Sequence, residues 1–192
     1  NLLNRESIEH ILKSFLGIVV IDEAYIDFSK EDGFSNVIDQ FPNLVILQTL
    51  SKSFGLAGIR MGLALASSEI ISYMLRVKAP YNINKLTTEV ALKAMENIAI
   101  MQAYVKALNN ERKWLTEQLK SIEKVKIIHP SDANFLLIEI ENAFDVYKKM
   151  ADSGVVIRYR GDQIHCENTI RITVGTHKEN VDMLDMLKEK IA

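Results

Sequence analysis

The chain has 192 residues, 48% hydrophobic and 25% charged, a balance that supports a buried core and excludes a disordered chain. Its net charge is −2 and its Lys and Arg are dispersed, which argues against nucleic acid as a partner. Apolar runs such as Ile18 to Ile21 and Met61 to Ala66 fall far short of the roughly 20 residues of a membrane span, so no membrane partner is expected. The single cysteine, Cys166, suits a reducing, cytoplasmic setting.

Residues 4–16, NRESIEHILKSFL, place Ile8, Ile11, Leu12 and Phe15 at helical spacing, with Gly17 as the stop. GIVVID is a β-branched run ending in an acid and reads as a buried parallel strand; LVILQTL (44–50) and MGLALAS (61–67) read the same way. Helical patterns lie between and after them, so the first hundred residues are expected to be α/β. From Asn84 to Glu123 runs one long helical tract, with a break expected near Asn97 or near Asn109 and Asn110. Strands follow at KVKIIHP and NFLLIEI, then a helix at AFDVYKKMADSG, strands at VVIRYR and TIRITVG, and a helix at KENVDMLDMLKEKIA. That series implies a small α+β domain. The expected organisation is therefore a first domain over 1–95, a connecting helix over 96–123 and a second domain over 124–192.

The chemistry concentrates where strands end. In α/β sheets, ligands bind beyond the carboxyl ends of the strands, and TLSKSFGLAGIRMG (49–62) begins there. Lys52 can attack a carbonyl there if its surroundings do not keep it protonated. Thr49, Ser51 and Arg60 supply two hydroxyls and a guanidinium, the groups that hold a phosphate. A solvated loop lysine beside a surface ion pair is the plain alternative. VVIDEAYIDF ends at the same rim, so Asp22 and Tyr25 should arrive near Lys52. A carboxylate can keep a pyridinium nitrogen protonated, and a phenol can hydrogen-bond a neighbouring ring oxygen. His10, His129, His165 and His177 show no ligand spacing, so no metal site is expected.

The pairing of IDEAYIDF with TLSKSFGLAGIRMG resembles the site of fold-type I, pyridoxal phosphate-dependent aminotransferases, most closely the histidinol-phosphate aminotransferases. The resemblance implies a three-layer αβα large domain with a mostly parallel sheet, incomplete here, followed by a small α+β domain. It assigns the cofactor lysine to Lys52, the ring-nitrogen acid to Asp22, the ring-oxygen phenol to Tyr25 and the phosphate arginine to Arg60. Thr49 and Ser51 would complete the phosphate cup. IRITVG resembles the family strand whose arginine grips substrate anions, which maps to Arg171. VVIRYRG resembles a second arginine segment and points to Arg158, with Arg160 on the same face and not separated from it. APYNIN resembles a pocket-lining segment, with Asn82 or Asn84 as candidates, and SDANFLLIE resembles another, with Asn134.

The implied reaction transfers an amino group between L-histidinol phosphate and 2-oxoglutarate in histidine biosynthesis. The partners are small amino and keto acids, and the full-length protein would be a homodimer. The resemblance covers the family's C-terminal half. With a first residue of Asn1 rather than Met, a fragment is expected. Alternatives sharing the cofactor residues are threonine-phosphate decarboxylase or another aminotransferase of the aspartate group. From other classes come a hydrolase using Ser51 or Ser53 with Lys52 as base, and a binding module that has lost catalysis.

Overall fold

A computed structural model describes residues 1–191. The chain divides between Tyr104 and Val105 into two compact units. Three strands build the sheet of the first, β1 (Val19–Asp22), β2 (Leu44–Thr49) and β3 (Gly62–Ala66), in the order β1-β2-β3. β1 and β2 are parallel, Val19 opposite Leu44 through Asp22 opposite Leu47. β3 runs antiparallel to β2, from Val45 opposite Ala66 to Thr49 opposite Gly62, and so departs from the parallel strand expected at MGLALAS. Parallel neighbours need a crossover connection, usually a helix, whereas residues 50–61 hold only a 3-10 turn at Ala57–Ile59, so the chain doubles back.

Helix α1 (Arg5–Ser14) starts at Asn4, whose side chain accepts a hydrogen bond from the Ser7 amide at 2.8 Å. At its other end the Asn43 side chain donates to the carbonyls of Leu12, Phe15 and Gly17, at 3.1, 3.1 and 3.2 Å. Ile8 and Leu12 pack with Phe34, Phe41, Leu44 and Ile46 on one face of the sheet, whereas Ile11 and Phe15, expected on that stripe, are exposed. The opposite face is partly open: Val45 is buried there, but Val20 is 56% exposed and Leu47 37%. Helices α2 (Ser68–Val77) and α3 (Lys85–Met95) follow. The helical tract breaks at Glu96 and Asn97 and resumes as α4 (Ile98–Lys120), which passes through Asn109 and Asn110 without interruption. The division into units falls inside α4.

The second unit has four strands, β4 (Val125–Ile128), β5 (Phe135–Ile140), β6 (Arg158–Tyr159) and β7 (Thr169–Thr173), ordered β4-β5-β7-β6 with antiparallel neighbours throughout. β6 is a two-residue strand, shorter than VVIRYR suggested. Leu136, Ile138 and Ile140 alternate inward from β5 to meet Ile170 and Ile172 of β7. Leu115 and Leu119 of α4, Met150 of α5 (Ala143–Asp152) and Leu187 of α6 (His177–Ile191) complete this core, all nearly inaccessible to solvent. Fully burying each such side chain contributes about 1.5–3 kcal/mol.

Helix α6 opens on a reciprocal cap. The Glu179 carboxylate accepts from the Thr176 amide and hydroxyl, both at 2.8 Å, and the Thr176 hydroxyl oxygen accepts from the Glu179 amide at 3.4 Å. The bonds from the Thr176 amide and then its hydroxyl hold the Glu179 carboxyl below the usual carboxylate range. A depressed carboxyl contributes stability above its unfolded value, about 4.3, and loses it as pH falls through the lower folded value. Urea melts of Thr176→Ala should therefore show a lower midpoint at neutral pH. That difference should shrink on acidification below pH ~4.

Candidate active site

The last rung joining β1 to β2 is a hydrogen bond from the Glu23 amide to the Leu47 carbonyl, 2.8 Å long. Both strands therefore end at one edge of the sheet, and the segments after them, 22–28 and 49–56, are neighbours. Asp22 lies on the open face with Val20, by alternation along β1. Its Oδ1 accepts from the Ala24 amide at 2.9 Å, which turns the chain into Tyr25 and a 3-10 turn at Ile26–Phe28 anchored by the buried Phe28 ring.

After β2 the buried Leu50 plays the same anchoring part. Thr49 Oγ1 accepts from the Ser51 amide at 3.1 Å, the Gly55 amide donates to the Lys52 carbonyl at 3.0 Å, and the Leu56 amide donates to the Leu50 carbonyl at 3.0 Å. Gly55 closes the loop at φ +67°, a conformation that only glycine adopts without cost. Lys52 is half-buried, with Nζ 5.1 Å from the centroid of the Tyr25 ring. That is cation–π range for an ammonium. An amine held on an aromatic face is also directed away from bulk water.

Arg60 ends the Ala57–Ile59 turn in the left-handed region at φ 53°, which costs a non-glycine residue on the order of 1 kcal/mol. Its side chain is exposed and donates to the Ala57 carbonyl at 3.3 Å. The Thr49 hydroxyl donates to the carbonyl of the adjacent Met61 at 3.4 Å, so the hydroxyls of the 49–52 loop and the Arg60 turn are joined. Thr87, in the first turn of α3, donates to the Ile59 carbonyl at 3.4 Å and ties that helix to the same turn. Asn84 caps α3 by accepting from the Thr87 amide at 2.9 Å. Asn82 is exposed and accepts from Lys78 Nζ at 2.9 Å, and no side-chain hydrogen bond joins it to this cluster among the described residues.

Two groups in these segments, Glu23 and Asp27, were not singled out from the sequence. Glu23, 6% exposed, accepts from the Phe34 amide at 2.7 Å and from the Gln48 side chain at 3.0 Å. Gly33 makes room for it: a Cβ there would stand 2.6 Å from a Glu23 carboxylate oxygen. The alternation Val19, Ile21, Glu23 was the available signal, since it turns Glu23 to the core face. Ser53, 5% exposed, donates its hydroxyl to Asp27.

In the second unit, the β6–β7 register sets Arg158 opposite Arg171. Arg171 is half-buried, its Cζ 5.0 Å from the Phe135 ring centroid, and its Nε is buried without a hydrogen-bond partner. Neither guanidinium has an ion-pair partner among the described residues. Like charges directly opposite on paired strands repel, and an anion between them reverses the sign. Arg160 is bound to β7 through its amide, which donates to the Thr169 carbonyl at 3.0 Å; Asn134 accepts through its carbonyl from the Val174 amide at 2.9 Å. No group of His, Cys, Asp and Glu able to hold a metal ion occurs among the described residues. No described helix is long and apolar enough to cross a membrane.

The sequence profile of the family "Aminotransferase class I and II" matches residues 1–186. The histidinol-phosphate aminotransferase of Cytophaga hutchinsonii is 45% identical over 188 residues, which are 98% of this chain and 54% of that protein. That of Flavobacterium psychrophilum is 47% identical over 188 residues, with the same shares. The chain thus spans about half the length of the curated relatives it matches. The crystal structure of the histidinol-phosphate aminotransferase from Clostridium acetobutylicum superposes with a TM-score of 0.92 at 27% identity, over 98% of this chain and 59% of that one. The family match, over residues 1–186, takes in both the TLSKSFGLAGIRMG segment and the paired arginine strands, and the chain belongs to the aminotransferase class I and II family.

Proposed function

We propose that this chain is the lysine-bearing part of a pyridoxal phosphate-dependent aminotransferase that acts on L-histidinol phosphate and 2-oxoglutarate. The observation that carries the reading is the convergence of Asp22, Tyr25 and Lys52 at one sheet edge, with Lys52 Nζ on the Tyr25 ring. The donor set fits the cofactor. A primary amine can take its aldehyde, a carboxylate its ring nitrogen and a phenol its ring oxygen. Thr49, Ser51 and Arg60 supply hydroxyl and guanidinium groups for its phosphate. Relatives named histidinol-phosphate aminotransferase at 45% and 47% identity support the choice of substrate.

When bound, pyridoxal phosphate supplies an electron sink for the charge left as a proton leaves the substrate α-carbon. Asp22, on the open face of the sheet, keeps a proton on the ring nitrogen. Lys52 would hold the cofactor through its aldehyde, and its amine, once free, would serve as the base that moves the substrate α-proton. Tyr25 shields one side of that amine from water. Arg158 and Arg171 hold the substrate phosphate or carboxylate, which relieves their mutual repulsion and gives the buried Arg171 Nε a partner. The Ser53 hydroxyl donates to Asp27 rather than to Lys52, so the pairing of Ser53 with Lys52 as base that a serine hydrolase would use is not formed. The family resemblance adds a cytoplasmic homodimer to the proposal for the whole protein.

Two experiments test this. The chain mixed with pyridoxal phosphate should develop the visible absorption band of a lysine-bound cofactor and, after borohydride reduction, carry the label on Lys52. Lys52→Ala should lose both, and Arg60→Ala should weaken binding by about tenfold or more, the scale of a lost charge-assisted hydrogen bond. Labelling of wild-type protein that is no stronger at Lys52 than at surface lysines would sink the assignment. In the second experiment, L-histidinol phosphate should bleach the band and 2-oxoglutarate restore it, while Arg171→Ala raises the histidinol phosphate concentration needed by about tenfold or more. Carbon dioxide release from O-phospho-L-threonine, with no response to histidinol phosphate, would transfer the site to a decarboxylase.

A further inference from the structure

Lys52 is placed through its neighbour. Ser53 follows it directly, is 5% exposed, and donates its hydroxyl to Asp27, in the 3-10 turn that Tyr25 precedes and Phe28 anchors. The segment 25–28 therefore meets the lysine loop at both Tyr25 and Asp27, with the Tyr25 ring under Lys52 Nζ and the Asp27 carboxylate on the Ser53 hydroxyl. The two contacts differ in kind. A lysine side chain has four rotatable bonds and its ammonium can slide off an aromatic face at small cost. A hydroxyl on a largely buried residue has little water to replace its acceptor, so its bond to a carboxylate restrains the backbone at residue 53.

The rest of the loop is closed on itself. Gly55 bonds back to the Lys52 carbonyl, Leu56 to the Leu50 carbonyl and Ser51 to Thr49 Oγ1. Such bonds fix the shape of residues 49–56 without fixing where the loop lies against 25–28. The Ser53–Asp27 bond supplies that docking.

We propose that Asp27 is a positioning residue: through Ser53 it docks the lysine loop so that Lys52 Nζ stands on the Tyr25 ring, poised for the cofactor aldehyde. The inference rests on the pyridoxal phosphate reading for its chemical consequence, whereas its structural part is independent of any ligand. Asp27 itself is exposed, so its replacement leaves the core intact.

The test uses the whole chain with Asp27→Ala, Ser53→Ala and the conservative Asp27→Asn, which keeps an oxygen acceptor for Ser53. Two readouts are taken. Hydrogen exchange of residues 51–56, followed by mass spectrometry without cofactor, should quicken by about tenfold in Asp27→Ala and Ser53→Ala, with residues 105–191 unchanged. Borohydride trapping with pyridoxal phosphate should show Lys52 losing about tenfold of its preference over surface lysines such as Lys30 and Lys78 in the same two variants. Asp27→Asn should restore most of both. Unchanged exchange and unchanged Lys52 preference in Asp27→Ala and Ser53→Ala would overturn the proposal, as would Asp27→Asn behaving like Asp27→Ala. Failure of the cofactor reading has a different signature: wild-type protein then shows no Lys52 preference at all, while the exchange readout still decides whether Asp27 docks the loop.

Discussion

The parallel pairing of β1 with β2 is the constraint on which the site depends. Parallel strands end on the same side of a sheet, so IVVID and LVILQT deliver their following residues to one edge although Asp22 and Lys52 are separated by 29 intervening residues. An antiparallel arrangement of the same two strands would put the acid and the amine at opposite ends. β3, which is antiparallel, brings its start rather than its end to that edge, and Arg60 lies just before that start. Strand direction thus explains why two of the groups follow their strands and the arginine precedes its own.

The carboxylates of IDEAYIDF divide the work by the direction in which each points. Asp22 faces the open side and, among the described residues, makes a short-range bond to the Ala24 amide, which leaves it capacity for a ligand. Glu23 faces the core, where the Phe34 amide and the Gln48 side chain satisfy it and lock the two strand ends together. A buried carboxylate is costly unless its oxygens are bonded, and here both are. Asp27 reaches across to the lysine loop. Neighbouring acids that look interchangeable in the sequence therefore serve a ligand, the sheet and a loop.

Much of this was legible beforehand because it rests on local pattern. The helices and strands of the second unit follow from alternation and 3.6-residue periodicity. Asp22, Tyr25 and Lys52 followed from placing strand ends. What escaped depends on pairing across the chain. The direction of β3 is decided by the lack of a crossover helix, and the exposure of Ile11 and Phe15 by how little of α1 the sheet covers. The Ser53–Asp27 bond joins residues 26 apart, and no local rule announces it. Asn82 shows the reverse case, a residue singled out by likeness whose side chain is engaged by Lys78.

The sheet of the first unit also separates stability from chemistry by face. Ile8, Leu12, Phe34 and Phe41 fill one side against Leu44 and Ile46. The other carries Val20, Asp22, Val45, Leu47 and Thr49; Val45 is buried, but Val20 and Leu47, nearer the ligand end, are substantially exposed. A flat aromatic ligand needs an apolar surface to lie on and a charged group at its rim. A face of valine and leucine that ends in an aspartate and a threonine supplies both, because the period of two sends every second residue of β1 and β2 to the same side. On the core face the same positions are held by Ile21 and Ile46, whose burial secures the strands. Moving the register of β1 by one residue would bury Asp22 and expose Ile21, so the hydrophobic pattern that folds the sheet also fixes which side can take a ligand.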